Sequence, residues 1–265
     1  MLHVQDTGSG PPLLLLHGLT ATNRYVLHGS RLLERKGFRL IAYDARAHGE
    51  SDPADDPAAY EYADMADDVL SLLDEREIER AVLVGHSMGA TTSMLLALEH
   101  PDRVTGLVQV TPAYYGQPYA EESHLAYWDR LAAGLEADGA DGFMRVFEPP
   151  PVEKWREPVL KFTRQRIERH RHPEALADAV RIIPRSAAWD GLDRLAEVEQ
   201  PVLIVGSRDE SDPTHPLLVA EEYTRRLRGA EFVIEDAGHP PLAWQGSRLS
   251  REILEWLSRT GLSPA

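Results

Sequence analysis

Short apolar runs recur along the chain, separated by longer segments in which apolar residues return with a helical period. The runs at 13–16 and 81–84 contain no polar residue, and the run at 104–110 contains few. Such runs are typical of strands buried on both faces of a parallel sheet. Residues 60–77 instead carry an apolar stripe opposite an acidic face, which predicts an amphipathic helix. The alternation predicts an α/β fold with a mostly parallel, doubly wound sheet.

The same patterns predict the other elements of the sheet and of its two flanking layers. Further strands are predicted at 2–4, 38–43, 201–206 and 231–235, and further helices at 22–36, 88–99, 217–227 and 246–257. Gly37 and Pro101 stand where two of these helices are expected to end, because glycine and proline interrupt helices.

The hydrophobic pattern changes between residues 113 and 194, where no strand-like apolar run occurs. Helical segments are predicted there at 121–137, 141–147, 152–170 and 173–183, and the stretch 113–194 holds more than half of the aromatic residues. We therefore predict a core domain formed by residues 1–112 and 195–265, interrupted by a helical cap insertion at 113–194.

The amino-acid composition argues against some binding partners and excludes some kinds of catalysis. The 265 residues include 43% hydrophobic residues, enough for a large core, and carry a net charge of −15. Strong negative charge makes a nucleic-acid partner unfavourable. The absence of cysteine excludes disulfides and thiolate catalysis.

The cellular location of the protein is predicted from two features that the sequence lacks. No basic segment followed by a long apolar run begins the sequence, and the apolar runs are too short to span a bilayer. We expect a cytoplasmic protein without a membrane partner. The oligomeric state stays open, and a homo-oligomer is one of the alternatives.

One serine lies in a pattern that favours nucleophilic chemistry. The predicted strand 81–84 leads into G-H-S-M-G at 85–89, and a predicted helix follows. Ser87 must then lie on a tight turn, where Gly85 and Gly89 are needed because side chains there would collide with the packed strand and helix. A serine at such a turn exposes its hydroxyl next to the N-terminus of a helix.

Two further polar residues follow strands near the C-terminus. A serine hydroxyl needs a histidine base, which in turn needs a carboxylate. His239 follows the last predicted strand and Asp209 follows the strand before it, while Asp212 and Glu210 lie in the same loop as Asp209. Because the carboxyl ends of parallel strands share one edge of the sheet, we expect these groups to meet there.

Five motifs in this order resemble the α/β-hydrolase family over nearly the whole chain. They are H-G-L-T at His17, D-A-R-A-H-G-E-S at Asp44, G-H-S-M-G at Gly85, G-S-R-D at Gly206 and A-G-H-P at Ala237. The resemblance is closest to small serine esterases and enol-lactone hydrolases with a helical cap, and it implies the α/β-hydrolase fold. Little sequence precedes the strand at 13–16, so the sheet is expected to lack one strand of the usual set.

The resemblance also implies a role for each residue. Ser87 would attack an acyl carbonyl, His239 would be the general base, and Asp209 would orient His239. The backbone N–H groups of Leu19 and Met88 would form the oxyanion hole. No cofactor and no metal are implied. The expected partner is a small-molecule ester or lactone, cleaved through an acyl-enzyme.

Other functions are compatible with the same residues. Carbon–carbon bond hydrolysis of a diketone would use the same triad, a peroxidase-like side activity would also use it, and a non-catalytic small-molecule receptor could share the fold. Haloalkane dehalogenase and epoxide hydrolase chemistry are disfavoured because the nucleophile is Ser87 rather than an aspartate, and because Leu19 is apolar.

Aromatic residues are the expected contacts of the substrate. The candidates are Tyr114, Tyr115, Trp128 and Trp189 in the cap region and Trp244 after His239. The remaining motif histidines His17, His48 and His86 are expected to be structural, and His170 and His172 are expected at the solvated end of a helix.

Overall fold

A central seven-stranded sheet organises the computed structural model, which describes residues 1–264. The strands are β1 Val4–Thr7, β2 Pro12–Leu16, β3 Arg39–Tyr43, β4 Ala81–His86, β5 Val104–Val110, β6 Val202–Val205 and β7 Glu231–Val233. Their order is β1-β3-β2-β4-β5-β6-β7. Only β1 runs antiparallel to its neighbour β3, and the other paired strands are parallel. The predicted mostly parallel sheet is confirmed.

Nine α-helices accompany the sheet in the part of the chain that the structure describes. They are α1 Arg24–Leu27, α2 Leu32–Arg35, α3 Tyr62–Glu75, α4 Met88–Glu99, α5 Glu122–Val146, α6 Glu153–Ile167, α7 Pro173–Ile182, α8 Leu217–Arg226 and α9 Gly246–Arg259. Within residues 1–264, none of these helices has both the length and the apolar character that crossing a membrane requires.

The sheet has a hydrophobic layer on each face. Alternate residues of a strand point to opposite faces, so Leu14 and Leu83 pack with α3 and α4, whereas Leu13 and Val82 pack with α9. Burial of both faces explains why these strands contain uninterrupted apolar runs.

The predicted helix at 22–36 is divided into α1 and α2. His28 and Gly29 have positive φ angles of 48° and 74° and interrupt the helical backbone between them. The imidazole of His28 contacts the carbonyl oxygen of Ala243 at 2.8 Å, so the break is stabilised by a long-range contact that helical periodicity does not reveal.

Helices α5, α6 and α7 occupy the stretch predicted as the cap insertion, between β5 and β6. Helix α5 is interrupted at Asp138 and Gly139, which separates the two helices predicted there. The halves pack so closely that a Cβ on Gly142 would lie within 2 Å of the Gly134 carbonyl oxygen. Leu131, Phe143 and Leu176 belong to a separate small core between these helices. The domain boundaries stay a prediction.

Candidate active site

Ser87 lies on the turn between β4 and α4, as the sequence predicts. Its φ and ψ angles are 53° and −110°, a strained conformation for a residue with a side chain. A Cβ on Gly85 would lie 2.3 Å from the Gly89 carbonyl oxygen, and a Cβ on Gly89 would lie 2.3 Å from the Leu16 carbonyl oxygen. Both glycines are therefore required for the close packing that imposes this turn.

The histidine that contacts Ser87 in the structure is His215. The Ser87 hydroxyl donates a hydrogen bond to Nε2 of His215 at 2.8 Å. The opposite ring nitrogen, Nδ1, donates to the two carboxylate oxygens of Asp212 at 2.9 and 2.8 Å. Asp212 and His215 lie three residues apart in the loop after β6. The chain Asp212–His215–Ser87 has the connectivity of a nucleophile, a base and a group that orients the base.

Asp212 is held in its charged form. Burial raises the pKa of its carboxyl, but the neighbouring His215 and the hydrogen bonds from His215 and Thr214 outweigh burial and lower this pKa to about 2. The Thr214 hydroxyl donates to the carboxylate at 2.8 Å. An ionised Asp212 keeps the proton of His215 on Nδ1, which leaves Nε2 able to accept the serine proton.

The structure does not place His239 and Asp209 beside Ser87, where the sequence predicts them. His239 is exposed in the loop after β7, where Gly238 contacts Lys154 and Glu210 through its carbonyl oxygen and its N–H. Asp209 is also exposed, and its carboxylate accepts the N–H of Leu217 at 2.7 Å, at the start of α8. In the structure, Asp209 binds the first N–H of α8, and the alternative acid Asp212 is the one that contacts His215 beside Ser87.

His215 was not among the site residues predicted from the sequence. The available signal was the segment S-D-P-T-H at 211–215, which places an acid and a histidine three residues apart in the loop that follows a strand. That spacing allows Asp212 and His215 to contact each other within one loop.

The expected oxyanion donors lie beside Ser87. Leu19 and Met88 line one cavity together with Ser87. Met88 is the first residue of α4, so its N–H has no acceptor within the helix. Gly18 lies so close to Ser87 that a Cβ there would be 3.2 Å from the serine Cβ. The loop with Leu19 thus runs along the nucleophile.

Buried histidines hold that loop. Nδ1 of His17 donates to the Gly18 carbonyl oxygen at 2.8 Å, and Nε2 accepts the Ala45 N–H at 2.9 Å. Burial lowers the pKa of His17 to about 4 and that of His48 to about 3, so both rings are neutral at pH 7. His170 was expected to be solvated, but it is buried and contacts Thr20 and Gly49.

Two cavities of about 140 Å³ each meet at Ser87, and both are lined by Ser87, His215 and Arg166.

Of the expected aromatic contacts, Tyr114 and Trp128 line the first cavity and Trp244 lines the second. Trp189 lines neither cavity and packs against Tyr114 with ring centroids 4.6 Å apart. Tyr115 lines neither cavity and is 45% exposed. Within residues 1–264, no cluster of three or more acids and histidines could hold a metal ion.

A sequence profile of the family described as alpha/beta hydrolase fold matches residues 11–245. A curated relative, 2-(acetamidomethylene)succinate hydrolase of Mesorhizobium japonicum, is 32% identical over 77% of this chain and 73% of its own length. Epoxide hydrolase 3 of Siraitia grosvenorii is 34% identical over 48% of this chain and 42% of its own length. The chain spans less than half the length of the first curated relatives that it matches.

A solved structure also shares the fold. A thermophilic esterase from Thermogutta terrifontis, solved with malate bound, superposes with a TM-score of 0.79. It is 27% identical in sequence, and the match covers 98% of this chain and 93% of the esterase. The predicted fold class is confirmed by the observed sheet and by this likeness.

Proposed function

The chain belongs to the α/β-hydrolase fold family, and on this premise we propose that it is a serine hydrolase that cleaves a carboxylic ester or a lactone. The observation that carries the proposal is the hydrogen-bonded chain from Asp212 through His215 to the Ser87 hydroxyl. It ends at the mouth of two cavities, beside the loop with Leu19 and the first amide of α4.

The first half of the proposed reaction forms an acyl-enzyme. His215 Nε2 accepts the hydroxyl proton while Ser87 Oγ bonds to the acyl carbonyl carbon. The carbonyl oxygen becomes an oxyanion, which the N–H groups of Leu19 and Met88 stabilise by about 3 kcal/mol each. The tetrahedral intermediate collapses when the bond to the leaving oxygen breaks, and His215 donates its proton to that oxygen. Asp212 stabilises the cationic imidazole between these steps.

The second half returns the enzyme to its initial state. His215 accepts a proton from water, and the hydroxide adds to the acyl carbon. Breaking the bond to Ser87 Oγ then releases the carboxylic acid, and His215 returns the proton to the serine. These steps require no electron transfer, and their protons pass through one imidazole.

Likeness to other proteins supports an ester or lactone as substrate. The solved structure named above is an esterase with sequence identity above one quarter. The curated relative named above hydrolyses a succinate that carries an acetamido group, so it supports hydrolysis rather than an ester in particular. The sequence similarity to the epoxide hydrolase covers about half of this chain. Position 87 of this chain is a serine, which forms an acyl-enzyme with esters.

A labelling experiment tests the nucleophile. We expect a fluorophosphonate probe to modify Ser87, and the Ser87→Ala variant to lose both the labelling and the hydrolysis of p-nitrophenyl butyrate while its melting temperature stays close to that of the parent. Equal labelling of the variant would contradict the assignment. A panel of short esters, lactones and diketones then compares ester cleavage with carbon–carbon cleavage.

A pair of variants tests the base. His215→Ala is expected to lower kcat/KM by about 10³-fold or more, because the serine proton then has no acceptor. His239→Ala is the matched control, since it removes the other candidate imidazole from an exposed loop, and we expect a change of less than about 3-fold. The opposite result would assign the base to His239, with Asp209 as its partner.

A further inference from the structure

Arg166 is a cationic side chain in the candidate site that the proposed reaction does not use. It belongs to α6 in the cap region and lines both cavities that meet at Ser87. Among the described lining residues, it is the one arginine or lysine of either cavity. The acids that line these cavities are Asp212, which binds His215, and Glu148, whose side chain is 75% exposed and whose carboxylate lies 3.6 Å from Arg130.

The Arg166 side chain is partly buried beside the two cavities. Its Nε is buried and has no hydrogen-bond partner within the described part of the chain. The neighbouring Phe162 ring lies under it, with its centroid 5.9 Å from the guanidinium carbon. Two other arginines near the end of α6 do have partners, because Arg164 contacts Asp141 at 2.6 Å and Arg169 contacts Tyr25 at 3.1 Å.

A charge that is partly withdrawn from water is costly without a counterion. Burial lowers the pKa of Arg166 from its usual value, and the negative charge of Asp212 offsets part of that effect. Burying a charged group without hydrogen-bond partners opposes folding, so such groups are usually paired or serve a ligand. Asp212 already accepts hydrogen bonds from His215 and Thr214. The guanidinium fork is therefore left to bind a group that enters from the cavities.

We propose that Arg166 binds an anionic group of the substrate, so that the enzyme acts on esters or lactones that also carry a carboxylate. This inference rests on the proposed serine hydrolase function and names the substrate class of the same site. A guanidinium matches the two oxygens of a carboxylate through parallel hydrogen bonds, and these bonds are strong where water is excluded. The reacting carbonyl would then lie at Ser87, with the carboxylate at Arg166.

Matched substrate pairs test the proposal. The monomethyl esters of succinate, glutarate and adipate are compared with the neutral methyl esters of butanoate, pentanoate and hexanoate, and methanol release is measured. We expect at least one anionic ester to have a higher kcat/KM than its neutral counterpart. Arg166→Met should lower kcat/KM for that ester by about 10- to 100-fold and change the neutral ester by less than about 3-fold. Arg166→Lys should restore part of the loss, because it keeps the charge without the fork.

Arg164→Met is the matched control, because Arg164 lies on the same helix with its side chain 45% exposed. We expect its ratio of anionic to neutral kcat/KM to equal that of the parent. A parent enzyme that hydrolyses the neutral esters without any preference for the anionic ones would overturn the proposal and leave the serine hydrolase function intact. Equal losses for both esters in Arg166→Met would overturn it as well, since they would assign Arg166 to support of Asp212 or of the fold.

A binding measurement separates this proposal from the hydrolase function. Calorimetric titration of the Ser87→Ala variant with glutarate needs no turnover. We expect binding to Ser87→Ala, and at least 10-fold weaker binding when Arg166→Met is added to it. If the parent cleaves no ester but this difference is found, the hydrolase function fails and the anion site stands. If no ester preference and no glutarate binding are found, the anion site is disproved.

Discussion

The imidazole of His170 donates a hydrogen bond from Nε2 to the carbonyl oxygen of Thr20 at 3.0 Å. Its other nitrogen, Nδ1, accepts the N–H of Gly49 at 2.9 Å. His170 follows α6, whereas Thr20 follows the expected oxyanion donor Leu19. One buried side chain therefore joins the end of a cap-region helix to the loop that lies along the nucleophile, and protonation of Nδ1 would remove the acceptor of the Gly49 N–H.

We predict that His170 makes the fold sensitive to acid. Burial, and then repulsion from His48, lower the pKa of His170 from 6.5 to about 3. Below pH 6.5 the unfolded chain therefore binds a proton that the folded chain does not bind until about pH 3. The stability contributed by the neutral ring is complete above pH 6.5 and is lost as the pH falls through this window. The slope is about 1.4 kcal/mol per pH unit for one histidine.

His170→Gln tests this prediction, because glutamine can accept and donate in the same places but does not titrate. Urea unfolding at several pH values between 4 and 6 should give a shallower loss of free energy in the variant, by about one proton. His172→Gln is the control, since His172 lies close in sequence and has no such pair of contacts in the described structure. An unchanged slope in His170→Gln would contradict the prediction.

The two acids of the loop after β6 should respond differently to amide substitution. Asp212→Asn removes the charge that stabilises the protonated His215, so we expect kcat to fall by about 10³- to 10⁴-fold with little change in melting temperature. Asp209→Asn keeps an acceptor oxygen for the Leu217 N–H and has nearly the same shape as aspartate. We expect kcat and the melting temperature of that variant to stay near those of the parent. A larger loss of turnover in Asp209→Asn would support the pairing of Asp209 with His239.

The turn at Ser87 should not tolerate a side chain at Gly89. A Cβ there would lie 2.3 Å from a backbone oxygen of Leu16, so Gly89→Ala must displace β2 from α4. We expect the free energy of unfolding to fall by more than about 3 kcal/mol, or no folded protein to form. Gly229→Ala is the comparison, because Gly229 has a φ of +70° and no neighbouring atom within 4 Å of the place that a Cβ would take. Its loss should be limited to backbone strain of about 1–2 kcal/mol.

Trp128 is expected to limit the length of the bound substrate. Its ring lines the first cavity with Ser87, and its indole nitrogen is buried without a hydrogen-bond partner in the described chain. Trp128→Ala should enlarge this cavity of about 140 Å³ and shift the optimum of kcat/KM among p-nitrophenyl esters to longer acyl chains. Tyr115→Ala removes an aromatic ring that lines neither cavity, and its chain-length profile should match that of the parent. Identical profiles for both variants would exclude Trp128 from substrate contact.

Local sequence was sufficient for most of the fold. Helix α4 and strand β5 begin and end where the pattern predicts, at 88–99 and 104–110. These elements are buried in the centre of the molecule, so their apolar pattern reports their environment directly. The helix predicted at 22–36 differs, because His28 leaves the helical conformation and contacts Ala243, which is distant in sequence.

The sequence by itself determined the parallel sheet, the position of Ser87 on a tight turn and the need for Gly85 and Gly89, because strand, turn and helix are adjacent residues with local steric constraints. Tertiary structure decided which histidine contacts the serine. Two loops, after β6 and β7, each offer a histidine, and the sequence motifs favoured His239 of the second loop together with Asp209 of the first. Their final positions depend on contacts with the helices of the cap region, such as that between Lys154 and Gly238. The same long-range packing places Arg166 beside Ser87. The local sequence of its polar helix does not reveal this position, because the cavities form only when α6 packs against the sheet domain.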